Sequence, residues 1–205
     1  MSTLYCAVAD VAAELGQVTG DRDARVEAAI TAASRQIDGR CGRRFYQDDD
    51  VTAREFYATS YTCLDSEVDQ VLDISTTVGL VVKTDTGDNG GFATSLTIGT
   101  NFILLPVNAA DDAVPYTTIR LVDGSTFPMS SSGRPGVQVA AKHGWATVPD
   151  PVKRACILQA VQLYKGADAV FGGLSFGDGS FLRVRAGLNP IADALVAPYA
   201  FPRVG

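Results

Sequence analysis

The chain has 205 residues, with 17 Lys plus Arg against 23 Asp plus Glu, for a net charge of −6 at pH 7. At 46% hydrophobic and 20% charged, and without an uninterrupted apolar run long enough to span a bilayer, the composition excludes a disordered tail and a membrane helix; folding at this size buries roughly 70% of the extended surface. The negative balance also argues against tight nucleic-acid binding through phosphate neutralisation, because an acidic surface repels DNA.

The first residues, MSTLYCAVADVAAELG, carry no basic leader and meet Asp10 and Glu14 early, which points to cytoplasmic synthesis. Val8 to Leu15 reads as a short helix stopped by Gly16. Asp21 to Arg40 reads as a longer one, with Val26, Ile30, Ala33 and Ile37 on a single face. Asp21 and Asp23 suit the positive start of that helix, and Arg40, Arg43 and Arg44 suit its negative end. Cys6, Cys41, Cys63 and Cys156 form no CxxC pair, so neither a zinc knuckle nor a redox motif is indicated, and free thiols are expected in a reducing compartment.

From about Val51 to Lys142 the pattern changes to short runs rich in β-branched and aromatic residues, separated by turn clusters such as DTGDNGG and SSSGRPG. Expected strands are Arg54 to Thr59, Leu80 to Thr84, Asn101 to Leu105, Thr118 to Leu121 and Val137 to Lys142. With short spacing and no long intervening helices, antiparallel pairing is expected. The predicted class is therefore α+β: a small helical bundle, with an antiparallel β domain inserted between the second helix and a central C-terminal helix. The expected limits are 1–50 for the first helices, 51–145 for the insert and 146–205 for the rest of the bundle.

The handover falls in HGWATVPDPVKRA, His143 to Ala155, which holds the only histidine in the chain and the only tryptophan. Asp150 is an expected N-cap and Pro151 fits the position after it. The helix that follows presents Val152, Cys156, Ile157, Ala160, Val161, Leu163 and Tyr164, a stripe wide enough for a central position in the core. Gly166 to Gly187 is glycine-rich yet contains Phe171, Phe176 and Phe181. Asn189 and Pro190 then open a short helix that Pro198 closes.

No arrangement supports an enzyme. Gly173 to Gly177 spells GxSxG, but a nucleophile elbow needs a strand before the serine and a helix after it, and neither is expected around Ser175. His143 lies upstream, where hydrolase order places histidine last, and it has no HxxxH or HxH partner for a metal. Asp85, Asp88, Asn89 and Gly90 resemble a calcium loop, yet Leu96 occupies the position that requires a bidentate carboxylate. No phosphate-binding glycine motif occurs. Catalytic residues, metal ligands and cofactors are all expected to be absent.

AVADVAAELG, DARVEAAITAASRQIDGRCGRRF with its Arg-Phe pair, NFILLPVNAADDAVPYTTIRLVDG, HGWATVPDPVKRACILQAVQLYK and LNPIADALVAPYAFPRVG together resemble the head-to-tail connector, or adaptor, family of tailed double-stranded DNA bacteriophages. GWATVPDPVKRA is the most specific piece. The resemblance implies a non-enzymatic virion protein of the neck, made in the host cytoplasm. It implies a dodecameric ring of copies that docks on the portal protein, meets the next tail-side neck protein and lets double-stranded DNA pass without sequence-specific binding. An acidic chain suits such a channel.

On this reading Tyr199, Phe201 and Arg203 are candidates for a portal-docking arm, with a tail folded back on its own core as the alternative. Phe171, Phe176 and Phe181 are candidates for contact with a neighbouring subunit, or for packing within their own. His143, Trp145, Asp150 and Pro151 are expected to form a structural joint between insert and bundle. A different class of function makes the β zone a carbohydrate- or protein-binding module, with Phe56, Tyr57, Tyr61, Phe92, Phe102 and Tyr116 as its aromatic surface.

Overall fold

A computed structural model describes residues 4–16, 23–67, 70–129, 132–167, 173–175, 181–183 and 187–201. These divide into two compact units: one from Met1–Arg43 together with Val148–Phe201, the other from Arg44–Thr147. The first is helical and assembled from two distant stretches of chain. The second is built on strands and is continuous in sequence.

The helical unit contains α1 (Val8–Glu14), α2 (Asp23–Cys41), α3 (Asp150–Gly166) and α4 (Pro190–Val196), the last followed by a 3-10 turn over Ala197–Tyr199. At the start of α1 the Asp10 carboxylate reaches back to accept the Ala7 amide at 2.9 Å, which holds the acid below its ordinary carboxylate range. The face predicted for α2 is buried as expected, and Ala29, Ser34 and Cys41 extend it. α3 packs against α1, α2 and α4, so its central place is borne out. Its buried stripe is rotated from the expected one: Ala155 and Gln159 lie inside, while Val161 and Leu163 are half-buried. Small side chains at the contact let helices approach closely, and Gln159 is accommodated because its amide is fully engaged.

Helix α3 also differs at its start. Pro149 occupies the cap position, its carbonyl accepting the Lys153 amide at 2.9 Å, and no side chain caps the turn. Asp150 is the first helical residue instead, where its carboxylate can act only through charge at the positive end of the helix. The Asn189 prediction holds in detail: its side-chain oxygen accepts the amides of Ile191 at 2.9 Å and Ala192 at 3.4 Å, and Pro190 follows in the first turn.

The β unit contains β1 (Thr52–Phe56), β2 (Cys63–Asp65), β3 (Val81–Thr84), β4 (Thr94–Leu96), β5 (Phe102–Leu105), β6 (Thr118–Leu121) and β7 (Val137–Ala141). They form a four-stranded sheet in the order β1-β7-β3-β4 and a three-stranded sheet in the order β2-β6-β5. Every pairing between these strands is antiparallel, as predicted. In the first sheet Phe56, Val137 and Thr84 lie in register across three strands. In the second, Leu64, Ile119 and Leu104 do the same. Cross-strand rows of this kind are the unit of sheet stabilisation, and Phe56, Val137, Leu64, Ile119 and Leu104 meet with Leu72, Ile74, Val82, Phe102, Phe127 and Val139 in one apolar core.

A further two-stranded antiparallel ladder pairs β8 (Gly173–Ser175) with β9 (Phe181–Arg183), with Ser175 opposite Phe181. The expected loop around Ser175 therefore contains strand structure. No helix among the described residues is long and apolar enough to cross a membrane.

Candidate functional site

The C-terminal end of the helical unit brings together residues from both of its chain segments. Gly42 leaves α2 with φ +70, a left-handed conformation that glycine adopts without penalty. The Phe201 amide donates to the Cys41 carbonyl at 3.1 Å, satisfying one of the acceptors left open at a helix end. The Arg43 guanidinium lies 4.1 Å from the Phe201 ring centroid, a cation–π geometry. Beside it Arg40 pairs with Asp193 of α4, which raises the Arg40 pKa. The Cys41 sulfur faces the Val196 carbonyl at 3.7 Å, and burial pushes its thiol up to about 11.

Of the three arm candidates, Tyr199 and Phe201 are thus half-buried on the helical unit, while Arg203 lies outside the described residues. Phe171 and Phe176 lie outside them as well; Phe181 begins β9. The sequence pattern showed the tail to be apolar. It could not show that Phe201 completes the end of α2, because that contact joins residues 160 positions apart.

The segment around His143 is a second concentration of constraint. His143 is 1% exposed, and its Nδ1 lies 2.7 Å from the Leu72 carbonyl oxygen. Its own carbonyl accepts the Asp48 amide at 2.8 Å, and its ring centroid is 6.2 Å from that of Phe56. Burial holds the imidazole below its ordinary range, so it is neutral near pH 7. Trp145 packs on Phe45 with ring centroids 5.5 Å apart.

Between them Gly144 has φ +104, and a Cβ there would stand 1.8 Å from the Tyr46 carbonyl oxygen. Its amide donates to the Asp73 carbonyl at 2.6 Å. His143 and Trp145 attract the eye in the sequence, yet Gly144 is the position the backbone cannot exchange. A glycine between two rare aromatics is its only sequence signal.

His143 is buried inside the β unit with its Nδ1 on the Leu72 carbonyl, and no group of three or more His, Cys, Asp or Glu residues capable of holding a metal occurs among the described residues. The Asp85 to Gly90 turn uses its own carboxylates: Asp85 accepts the Gly90 amide and Asp88 accepts the Ser132 amide and hydroxyl at 2.8 and 2.6 Å. A groove of about 230 Å³ in the β unit is lined by Tyr57, Ala58, Pro128, Met129, Gly133 and Gly136.

The six aromatics of the supposed binding surface are divided. Phe56 and Phe102 are core residues and Tyr116 packs against that core, whereas Tyr57 and Tyr61 are exposed and Phe92 is half-buried. Only Tyr57 among them lines the groove.

The chain matches no protein-family model and no curated protein. It is similar to solved structures of gene transfer agent particles. In the virion of the native particle a chain matches with a TM-score of 0.53 and 20% identity, over 96% of this chain and 90% of that one. The neck of the empty particle, computed with C6 symmetry, gives 0.52 and 19% over the same shares. The neck of the native particle, computed with C12 symmetry, gives 0.51 and 19%, covering 96% and 89%. This chain therefore has, over nearly its whole length, the fold of a chain in the neck of a gene transfer agent particle.

Proposed function

We propose that this protein is a structural neck component of a tailed phage or phage-like particle. In this reading it is a non-enzymatic head-to-tail connector whose copies form a ring below the capsid portal, extend the DNA channel and meet the next tail-side protein. The observation that carries the reading is the fold match to neck chains over 96% of the sequence, which spans the helical unit and the β unit alike. The symmetries used for those necks, sixfold and twelvefold, are both compatible with a ring of twelve. A net charge of −6 favours a channel surface that repels DNA rather than trapping it.

The C-terminal arm of Tyr199, Phe201 and Arg203 is proposed to reach the portal, with Phe201 as its anchor at the end of α2 and Arg203 beyond that anchor. Phe171, Phe176 and Phe181 are proposed to bury against a neighbouring copy. His143, Trp145, Asp150 and Pro151 are proposed to form the joint between the two chain zones. Virion assembly, with synthesis in the host cytoplasm, is the corresponding location. A carbohydrate- or protein-binding role for the β unit rests on the Tyr57 groove alone and is not adopted.

Cryo-electron microscopy of particles carrying this protein tests the reading: a closed ring of its copies directly below the portal is expected. Density for the protein elsewhere in the particle would overturn it. Deleting residues 202–205 removes Arg203 while sparing the Phe201 contacts; the truncated subunit should fold and no longer join portal-bearing capsids. Unimpaired joining would reject the arm.

A further inference from the structure

Two buried thiols from opposite ends of the chain meet inside the helical unit. Cys6 precedes α1 and Cys156 lies in the second turn of α3; they are 150 residues apart, and their sulfur atoms are 3.5 Å apart. Both are free. Their surroundings aim them at each other. The Ser34 hydroxyl lies 3.5 Å from the Cys156 sulfur, donates to the Ile30 carbonyl at 2.8 Å and accepts the Tyr5 amide at 3.3 Å.

The residue before Cys6 is thus tied to α2 while the Cys6 sulfur points to α3. The Cys6 thiol donates to the Cys156 sulfur, and this hydrogen bond holds the Cys156 thiol below its ordinary range and Cys6 above it. A disulfide needs sulfurs about 2.05 Å apart. Cys6 lies in the non-helical segment before α1, the side of the pair whose backbone is not held in a helix.

We propose that Cys6 and Cys156 form a reversible disulfide, with a hydroperoxide as oxidant, that staples the N-terminal segment to the central helix. One thiolate attacks a peroxide oxygen; the O–O bond breaks, hydroxide takes up a proton, and a sulfenic acid results. The second sulfur attacks the sulfenic sulfur, the S–O bond breaks and water leaves. Two thiols lose two electrons and two protons to one hydrogen peroxide, giving one disulfide and two waters. The timing of oxidation rests on the neck reading, in which the pair stays reduced during assembly in the cytoplasm and closes after release. The chemistry does not depend on it.

The test uses the full chain with Cys41→Ser and Cys63→Ser, so that only the pair remains. After treatment with hydrogen peroxide, intact mass should fall by two hydrogens. Digestion without reductant should yield one linked pair of peptides, those of Cys6 and Cys156, and dithiothreitol should separate them. The oxidised protein should melt higher by roughly 5 °C or more, and Cys6→Ser should abolish both effects.

Recovery of both cysteines as free alkylatable thiols, or as sulfinic acids without a link, would overturn the proposal. Should the double variant fail to fold, the same peptide map of the unsubstituted chain decides: a link through Cys41 or Cys63 in place of Cys6 with Cys156 also overturns it. Absence of a ring in the particle would sink the neck reading and leave this peptide map unchanged.

Discussion

The two units solve the problem of core formation differently. In the β unit the interior is made of large aliphatic and aromatic side chains, Phe56, Leu64, Leu72, Ile74, Phe102, Ile119 and Phe127 among them, aligned by strand register. Its buried polar residues stand at the margins of strands: Thr84 and Asp85 at the end of β3, His143 just past β7, and Asp73 beside Ile74.

The helical unit instead interleaves Ala29, Ala33, Ala155, Ala160 and Ala192 with polar and sulfur groups, namely Ser34, Gln159, Cys6 and Cys156. Small residues bring helix backbones together, which raises packing but leaves less apolar area to bury per contact. Hydrogen bonds at the helix contacts then set the registry. Gln159 is the clearest case, accepting the Asn189 amide at 2.6 Å and donating to Gln36 at 2.7 Å.

The sharpest way to break the comparison is at the margin of the β unit. Gly144→Ala should cost at least about 3 kcal/mol, since it combines a positive φ with a collision against the Tyr46 carbonyl. Trp145→Ala should follow at about 3 kcal/mol through loss of buried ring area. Urea unfolding read with hydrogen exchange on β7 checks both. If either leaves the midpoint unchanged, the packing around the proposed joint does not stabilise the fold.

In the helical unit, Gln159→Ala should cost about 1–3 kcal/mol, because it strands the half-buried Asn189 amide and removes the partner of Gln36. Hydrogen exchange in α4 should rise. A variant as stable as the parent would show that helix registry there does not rest on this side chain.

The smallest effect separates the units by pH. Burial holds folded His143 below the ordinary imidazole value of 6.5, so above that pH both states are neutral and the residue adds no pH dependence. Below it the unfolded chain takes up the proton first, and stability falls towards acid by at most about 1.4 kcal/mol per pH unit. Urea midpoints measured between about pH 7 and pH 5 should drop in the parent and flatten in His143→Gln; equal slopes would dismiss His143 as the source.

Legibility in the sequence followed the length of each element and the regularity of its burial. The period of Val26, Ile30, Ala33 and Ile37 identified α2, and β6 and β7 showed themselves by alternation. Asn189 with Pro190 marked the start of α4. β2 and β4 escaped notice because three residues, flanked by turns, are too few for a period to emerge. The β8–β9 ladder escaped for the same reason, hidden in a glycine-rich stretch. On α3 the stripe differs from the expected one at Gln159, because a polar side chain reads as surface unless its hydrogen-bond partners are known.

By itself the sequence determined what local physics can determine: the helical, strand-rich, helical order, the Asn189 cap of α4 and the acidic balance. Tertiary structure alone decided the contacts that depend on chain closure. These include the Phe201 amide on the Cys41 carbonyl, the approach of Cys6 to Cys156 across 150 residues, and the demand for glycine at position 144. Periodicity and capping act over one or two turns of chain. Which backbone carbonyl stands in front of a given side chain is settled only when distant segments pack.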